Sequence, residues 1–335
     1  MELRLDNLTP PAKNADNKVE KVLILGAGPA GLSAALYAAR AELQPLVLIG
    51  TELGGQASLT FTIENYPGFP DGVGGAEMGE LFKKQAERFG ARFEYDLATA
   101  VDFSRRPFLV KTFSREILAE SVIVATGASP YVLNVPGENQ MIGRGVSYCA
   151  TCDGWFFKEK NLVVVGGGDS ALEEALFLTR YAASVTIVHR RDELRAGPIL
   201  QNRAKQNPKI HFIWNTVVDE IIGTTGVQSV KLRNVITDER TDFAAEGVFI
   251  FIGHAPNTKI FENQLDMNEK GYIQSDLTMK TNIPGVFAAG EVMDSHYRQV
   301  VTSAGMGAAA AIQAGRFLEE HSEEPEKPVP EKIKE

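Results

Sequence analysis

The sequence predicts an α/β protein with two Rossmann-like dinucleotide-binding domains, the second inserted into a discontinuous first one. Two observations lead to this prediction. An apolar strand, a glycine turn and a helix pattern follow one another twice, with the two glycine turns 140 residues apart. Two more apolar strands that end in small residues, 121–127 and 285–294, lie on either side of the second repeat. Small residues at strand ends allow a ligand to approach the backbone closely, as dinucleotide binding requires.

The first repeat runs from the apolar strand 21–25 through a glycine turn to a helix pattern that ends at Arg40. Such a turn lets backbone N–H groups approach a pyrophosphate, although an ordinary tight turn is the alternative. The next strand, 46–49, ends with neither a clear ribose-binding acid nor an arginine cluster, which favours FAD over NADP. The candidate FAD contacts of this turn are Gly26, Gly28, Pro29, Ala30 and Gly31.

The second repeat has the strand 161–165, and its glycine turn supplies the candidate contacts Gly166, Gly168, Asp169, Ser170 and Ala171. The strand that follows, 184–188, ends in a basic cluster. Arginines at this point accommodate the 2′-phosphate of NADP, whereas an acid there favours NAD. A merely solvated basic patch is the alternative. The candidate NADPH contacts of the cluster are His189, Arg190, Arg191 and Arg195.

The order of these patterns predicts the domain organisation. The first nucleotide-binding region is interrupted by the second and then resumes. Residues 319–335 hold seven glutamates against three lysines and few apolar residues, which is typical of a disordered tail. The predicted segments are a flexible extension 1–19, an FAD domain in two parts, 20–130 and 257–318, an NADPH domain 131–256, and the acidic tail 319–335.

The chain has two cysteines, Cys149 and Cys152, and they lie three residues apart. A pair at this spacing is a redox dithiol or half of a metal site. The metal alternative is the weaker one, because a four-ligand zinc site needs a second pair of ligands and the five histidines are scattered. We therefore expect a redox pair and no metal.

Composition excludes several classes of protein. The net charge of −9 argues against nucleic acid as a partner. No apolar run reaches the length of a membrane-spanning helix, and the N-terminus lacks the pattern of a signal peptide. Two cysteines without a disulfide framework fit a reducing cytoplasm. We therefore expect a cytoplasmic protein that binds neither nucleic acid nor membrane.

Together, these motifs resemble the low-molecular-weight thioredoxin reductases, which are NADPH-dependent flavoprotein disulfide reductases. The resemblance extends from about Lys21 to Leu318. The segments that carry it are 26–31, 54–56, 64–68, 125–127, 149–153, 166–171, 189–191 with Arg195, 253–257 and 298–299. It implies FAD and NADPH as cofactors, a homodimer, and thioredoxin or a thioredoxin-like protein as the partner.

The resemblance also extends the set of candidate FAD contacts. One position departs from the family pattern, because Gly290 is followed by Glu291 where the family usually has aspartate. The glutamate keeps the charge that is expected to face the ribityl chain of the flavin, but it is one methylene longer. The additional candidates are Gly54, Gln56, Asn65, Ala125, Thr126, Gly127, Gly290, Glu291, Arg298 and Gln299.

The resemblance further implies a mechanism. Electrons pass from NADPH through FAD to a Cys149–Cys152 disulfide and then to the disulfide of the partner. Cys149 is expected to attack the partner and Cys152 to face the flavin. Asp153 is expected to exchange a proton with the leaving thiolate, although it could instead cap the following turn. The cysteines lie only 14 residues before Gly166. They therefore belong to the NADPH domain, yet one flavin must meet both the nicotinamide and the dithiol, and the partner must reach the same cysteines. The inserted domain is expected to rotate during turnover, about hinges near 128–132 and 253–258.

Other classes of protein remain as alternatives. Ferredoxin-dependent relatives should lack the arginine cluster, and dithiol oxidases should not need NADPH. The flavoprotein subunit of alkyl hydroperoxide reductase should carry a longer N-terminal region. A non-catalytic nucleotide-binding sensor would not need the intact cysteine pair.

Overall fold

The computed structural model of the chain describes residues 18–60 and 62–321. The chain divides into two compact units, of which the second is inserted into the first. The first unit holds the described residues up to Thr62, Tyr66–Ala128 and those from Pro256 onward, and the second holds Ile63–Asn65 and Ser129–Ala255. The predicted fold class is confirmed. The observed divisions fall after Ala128 and before Pro256, where the sequence suggested 130 and 257.

Short strands and helices alternate along much of the chain. The helices are α1 (Pro29–Arg40), α2 (Gly75–Glu87), α3 (Glu138–Met141), α4 (Ala150–Asp153), α5 (Asp169–Leu178), α6 (Pro198–Gln206) and α7 (Val300–Glu320). Short 3₁₀ turns lie at Gly55–Leu59, Gly154–Phe157, Lys259–Phe261 and Gly290–Val292. The strands are β1 (Val19–Leu25), β2 (Leu46–Leu48), β3 (Arg92–Glu94), β4 (Ala98–Asp102), β5 (Phe108–Thr112), β6 (Glu116–Val124), β7 (Ala128–Pro130), β8 (Val146–Ser147), β9 (Asn161–Val165), β10 (Ser184–Val188), β11 (Ile210–Ile213), β12 (Thr216–Gly223), β13 (Val227–Asn234), β14 (Arg240–Ala244), β15 (Gly247–Ile250), β16 (His254–Pro256) and β17 (Val286–Ala288).

The first unit is built on a mixed sheet with the strand order β3-β2-β1-β6-β5-β4, to which β17 adds by pairing with β6. Strand β1 is central and parallel to both neighbours, so that Leu23 pairs with Leu46 and with Val122. Residues 22–25 are buried on both faces, as an apolar run in a covered parallel sheet requires. Helices α1 and α7 pack with one of the two cores of this unit.

The second unit has a parallel sheet with the strand order β11-β10-β9-β15-β8 and a three-stranded antiparallel sheet, β12-β13-β14. Strand β9 pairs in parallel with β10 and β15, which repeats the central position of β1 in the first unit. Helix α5 contributes Leu172, Ala175 and Leu178 to a core beneath the sheet. The carboxyl ends of β9 and β10 therefore lie side by side, where a dinucleotide fold binds its ligand.

The chain passes between the units through β7 and β16, which pair with each other as a two-stranded sheet. Next to it, the Tyr131 amide donates a hydrogen bond to the Gly253 carbonyl at 3.0 Å. Gly253 has φ +119°, a conformation that suits glycine. The two connections thus support each other through backbone hydrogen bonds.

The C-terminal boundary predicted from charge is wrong by a few residues. Helix α7 continues to Glu320, past the expected start of the acidic tail at 319. Its last turn is held by Phe317, which is buried, and by the His321 ring, which stacks on Phe317 at 4.2 Å and hydrogen-bonds the Phe317 carbonyl at 2.8 Å. The rest of the predicted tail, 322–335, and most of the predicted extension, 1–17, lie outside the described residues. Among the described helices, none is long and apolar enough to cross a membrane.

Candidate redox site and nucleotide-binding turns

The two cysteines form a disulfide in the second unit, at the start of α4. Cys149 occupies the N-cap position, and its Sγ accepts a hydrogen bond from the Cys152 amide at 3.2 Å. The Thr151 hydroxyl lies 3.4 Å from the same sulfur. Donors placed in this way would stabilise the Cys149 thiolate after the disulfide is reduced. Residues 18–60 and 62–321 contain no cluster of three His, Cys, Asp or Glu side chains that could hold a metal ion.

A carboxyl group lies beside the disulfide. The Ser147 hydroxyl donates a hydrogen bond to Asp153 Oδ2 at 2.5 Å and accepts one from the Cys149 amide at 3.1 Å. Burial raises the pKa of Asp153 above its ordinary value, and the hydrogen bond from Ser147 works in the opposite direction. A carboxyl group with a raised pKa can hold a proton close to the sulfurs.

The alternative role of Asp153 as a cap is contradicted. Asp153 precedes the 3₁₀ turn Gly154–Phe157, yet its side chain caps no amide of that turn. Its partner is Ser147, which the sequence interpretation missed. Ser147 is 4% exposed, and a small polar residue at the end of a short buried strand was the only available signal. The Asp153–Ser147 contact therefore leaves the carboxyl group directed toward the cysteine segment.

Two aromatic side chains beside the disulfide are exposed. Trp155 is 55% and Phe156 is 44% exposed, whereas Phe157 packs edge-on against Phe249 at 5.1 Å. Trp155 lies edge-on to Tyr181, with the ring centroids 5.7 Å apart, and Phe157 packs against the core of the second unit.

The first glycine turn is closely packed on one side and open on the other. A Cβ atom on Gly26, which has φ +107°, would lie 2.3 Å from the Ala125 carbonyl oxygen. A Cβ atom on Gly28 would meet nothing within 4 Å. Gly28 is the N-cap of α1 and Pro29 its first residue, so that the first amides of the helix face this open space. The turn therefore has the shape and polarity of a phosphate site.

Other predicted FAD contacts of the first unit lie around this turn. The Gly54 amide donates to the Ala27 carbonyl at 2.8 Å, which places the 3₁₀ turn containing Gln56 beside it. A Cβ atom on Gly290 would lie 2.8 Å from the Ala30 Cβ. Segment 125–127 contacts Gly26, as described above, and the Thr126 hydroxyl bonds the Asn257 carbonyl at 2.8 Å. Asn65, by contrast, belongs to the short segment Ile63–Asn65 that groups with the second unit.

The segment between Gly290 and α7 is held by Asp294, which sequence interpretation also missed. Its buried carboxylate accepts hydrogen bonds from the amides of His296, Tyr297 and Arg298 at 2.8, 2.9 and 3.0 Å. This arrangement fixes Arg298, which has φ +51°, and Gln299, the N-cap of α7. An aspartate that precedes a run of polar residues is a known turn signal and could have been found.

The Glu291 carboxyl group is largely buried in the same corner. Burial raises its pKa to about 7, Arg298 works against this increase and Asp294 adds to it. The longer side chain at this position, which departs from the family pattern, is therefore a group that titrates near neutral pH.

The second glycine turn, in the second unit, has the same design. Gly168 is the N-cap of α5, and the Asp169 carboxylate accepts a hydrogen bond from the Gly197 amide at 2.7 Å. The Arg195 and Ala196 amides donate to the Gly167 carbonyl at 2.8 and 3.2 Å. Asp169 thus acts within the turn, while Ser170 is exposed and Ala171 is buried under the helix. Residues 190–197 therefore fold back over the glycine turn.

The three arginines of this loop are available to a ligand. Arg190, Arg191 and Arg195 are exposed, and within the described part of the chain none of them forms an ion pair. A Cβ atom on Gly168 would lie 3.9 Å from Arg195 Nη2, so that this guanidinium group stands over the turn. His189, by contrast, is 5% exposed and lies beneath the turn, where it does not face solvent. A guanidinium group over a helix N-terminus, with two more exposed arginines in the same loop, favours binding of an anion.

Comparisons with known proteins agree with this geometry. The family described as pyridine nucleotide-disulphide oxidoreductase matches residues 20–307. A thioredoxin reductase from Rickettsia bellii is 52% identical over 303 residues, which cover 89% of this chain and 98% of that protein. One from Streptomyces coelicolor is 49% identical over 317 residues, covering 94% and 98% respectively. The crystal structure of thioredoxin reductase from Streptococcus pyogenes has 44% identity and a TM-score of 0.87, and the match covers 91% of this chain and 99% of that one.

The disulfide, the two glycine turns and these relatives lead to one conclusion. The chain belongs to the pyridine nucleotide-disulphide oxidoreductase family and, within it, to the low-molecular-weight thioredoxin reductases.

Proposed function

We propose that this protein is an NADPH-dependent, FAD-containing reductase of thioredoxin or a thioredoxin-like protein. The observation that carries the proposal is the Cys149–Cys152 disulfide, which lies in the same unit as a glycine turn followed by a loop with three exposed arginines. A dithiol oxidase would have no use for those arginines. The proposal includes a cytoplasmic site of action, because NADPH and reduced partners are maintained there.

The first unit fits FAD. The open space above Gly28 would take the pyrophosphate, since the first amides of α1 face it. The surrounding residues would hold the rest of the cofactor, with Glu291 toward a hydroxyl group. We propose as FAD contacts Gly26, Gly28, Pro29, Ala30, Gly31, Gly54, Gln56, Asn65, Ala125, Thr126, Gly127, Gly290, Glu291, Arg298 and Gln299.

The second unit fits NADPH in the same way. The N-terminus of α5 would take the pyrophosphate, and the arginine loop would take the 2′-phosphate. NAD lacks that phosphate and would leave the three guanidinium groups without a partner. We propose as NADPH contacts Gly166, Gly168, Asp169, Ser170, Ala171, Arg190, Arg191 and Arg195; His189, the other predicted contact, is buried beneath the turn.

The chemistry of the proposed reaction is a transfer of two electrons. When bound, FAD supplies the route by which the electron pair of NADPH reaches the disulfide. Reduction breaks the Cys149–Cys152 bond and leaves Cys149 as a thiolate and Cys152 as a thiol, and Asp153 can hold the second proton, which the leaving sulfur of the partner later takes up. The Cys149 thiolate, stabilised by the Cys152 amide, then attacks the partner disulfide and forms a mixed disulfide. Cys152 attacks this bond, which releases the reduced partner and restores the Cys149–Cys152 disulfide.

The same dithiol must meet both its reductant and its partner. We propose that the second unit rotates about the connections near 128–132 and 253–258. We also propose that the exposed side chains of Trp155 and Phe156 form an apolar surface for the partner beside the disulfide. Constant distances between labels on the two units throughout turnover would exclude the rotation.

The protein is further proposed to be a homodimer, which a monomeric mass in sedimentation would contradict.

Rapid mixing of the holoenzyme with NADPH is expected to bleach the flavin absorbance before any partner is added. The reason is that a reductase accepts the electron pair in its first half-reaction, whereas a nucleotide-binding sensor only binds. Stopped-flow absorbance measures the bleaching, and subsequent addition of oxidised thioredoxin should restore the colour. A flavin that stays oxidised under anaerobic NADPH would exclude the proposed function.

Substitution of Glu291 by Gln is expected to make stability less dependent on pH. The folded pKa of about 7 lies above the ordinary value of 4.5, so that the folded protein binds this proton more tightly than the unfolded chain. The contribution of Glu291 to stability is therefore greatest below pH 4.5 and is lost as the pH rises through 7, in total by about 3 kcal/mol. E291Q removes this dependence. Chemical unfolding of the flavin-free protein across this range measures it, with E269Q at an exposed position as the control. Parallel curves for E291Q and the parent protein would contradict the assignment.

A further inference from the structure

His189 occupies an unusual place for a residue in a basic cluster. It directly follows β10 and directly precedes Arg190, yet only 5% of its surface is exposed. Its backbone is held on both sides, since its amide donates to the Ile213 carbonyl at 2.9 Å and its carbonyl accepts from the Thr216 amide at 3.0 Å. The backbone that carries the imidazole is therefore fixed at the end of the sheet.

The ring lies directly under the second glycine turn. A Cβ atom on Gly167 would lie 2.3 Å from both Cε1 and Nδ1 of His189, so that glycine at 167 is what makes room for the ring. Trp214 lies edge-on to the ring, with the centroids 6.4 Å apart. The imidazole thus fills the space between the glycine turn and the sheet.

The ring also bonds the arginine loop. His189 Nε2 lies 3.0 Å from the Glu193 carbonyl oxygen, in the middle of the loop that runs from Arg190 to Arg195. Burial lowers the pKa of His189, and the charges of Arg195 and Arg191 lower it further, although hydrogen bonds with the Glu193 and Gly166 backbones oppose the decrease. Because a carbonyl oxygen only accepts, Nε2 carries the proton of this bond and donates it to Glu193. An apolar residue could fill the same space, but it could not make this bond.

Other bonds connect the two segments from above. The Arg195 and Ala196 amides donate to the Gly167 carbonyl, and the Gly197 amide donates to the Asp169 carboxylate at 2.7 Å. His189 is the side chain that contacts both segments from below. Because the guanidinium groups are on the loop and the pyrophosphate amides are on the turn, their spacing decides whether one dinucleotide can reach both.

We propose that His189 is a positioning residue for nucleotide specificity: by packing under Gly167 and bonding the Glu193 carbonyl, it holds the arginine loop at the distance that a 2′-phosphate requires. This inference rests on the proposed NADPH site. It replaces the prediction that His189 contacts the nucleotide directly. The loop of a protein without this bond would still carry three arginines, but they would be held less closely to the turn.

The test compares two probes that differ only in the 2′-phosphate, adenosine 2′,5′-bisphosphate and 5′-AMP, by calorimetric titration of the FAD-containing enzyme. In H189N the shorter amide cannot reach Glu193. We expect it to weaken binding of the bisphosphate by about tenfold, the effect of one lost hydrogen bond, and to change binding of 5′-AMP by less than about twofold. In H189Q the amide can reach Glu193 as Nε2 does, and affinity for the bisphosphate should stay within about threefold of the parent.

Each result decides the question. Equal weakening of both probes by H189N, or no weakening of either, overturns the positioning role, because general disorder or simple packing would then suffice. If H189N does not fold, H189Q still tests the proposal, and a tenfold loss of bisphosphate affinity in that variant contradicts it. The double variant R190A/R191A distinguishes a failure of the proposed NADPH site from a failure of the His189 inference. Unchanged bisphosphate affinity in that variant would remove the proposed NADPH site itself, whereas a normal arginine effect with unaffected His189 variants would remove only this inference.

Discussion

Substitution of either cysteine by serine is expected to abolish reduction of thioredoxin while leaving reduction of the flavin by NADPH intact. Both sulfurs are needed, because a single thiol can form a mixed disulfide with a partner but cannot resolve it. The loss should be complete within the limits of a coupled assay. Neither sulfur belongs to a packed core, so that C149S and C152S should fold as the parent does, which thermal unfolding checks.

The two variants also identify the attacking sulfur. Cys149 lies at the N-cap of α4 and accepts the Cys152 amide, which stabilises its thiolate. C152S, which keeps Cys149, should therefore form a mixed disulfide with a thioredoxin that lacks its resolving cysteine and whose other cysteine is activated as a disulfide with 5-thio-2-nitrobenzoate, because Cys149 displaces thionitrobenzoate; a non-reducing gel detects the product. Trapping by C149S instead would transfer the attacking role to Cys152 without affecting the rest of the proposal. Substantial thioredoxin reduction by either variant would exclude the dithiol as the site of reaction.

Much of the fold was readable from local patterns. Both nucleotide-binding turns are encoded within about 20 consecutive residues, because an apolar strand, a glycine turn and a helix follow without interruption. Gly26 is needed because the Ala125 backbone passes close to it, whereas Gly28 borders open space. Gly290, after β17, likewise leaves no room for a side chain, because a Cβ atom there would lie 2.8 Å from the Ala30 Cβ.

The contacts that fix the site were less readable, because they join residues that are distant in the chain or ambiguous in type. Ser147 bonds Asp153 from a two-residue strand that has no periodic signal. His189 stands in a basic run, and only the fold shows that its ring turns inward under Gly167 while its neighbours turn outward. Helix α7 continues two residues beyond the predicted boundary at 318, where the His321 ring stacks on Phe317, a contact that the run of glutamates does not reveal.

Substitution of Arg190 and Arg191 by Ala should raise the KM for NADPH by about a hundredfold and leave the KM for NADH within about twofold. Each guanidinium group can make charge-assisted hydrogen bonds to a 2′-phosphate, and loss of two such bonds accounts for an effect of this size. NADH has no group at that position and so loses nothing. Steady-state assays with both nucleotides at fixed thioredoxin measure the difference.

The control for this prediction is R203A, which removes the same charge from an exposed position on α6 in the same unit. If the effect came from the general field of the unit, R203A would share it in part, and high salt would remove the effect in both variants. A specific contact predicts no change in R203A. It also predicts that the difference in KM for NADPH between the double variant and the parent becomes smaller at high salt, mainly because the KM of the parent rises. Equal penalties for NADPH and NADH would show that the loop supports binding of any dinucleotide, and the arginines would then no longer explain why the second unit takes NADPH.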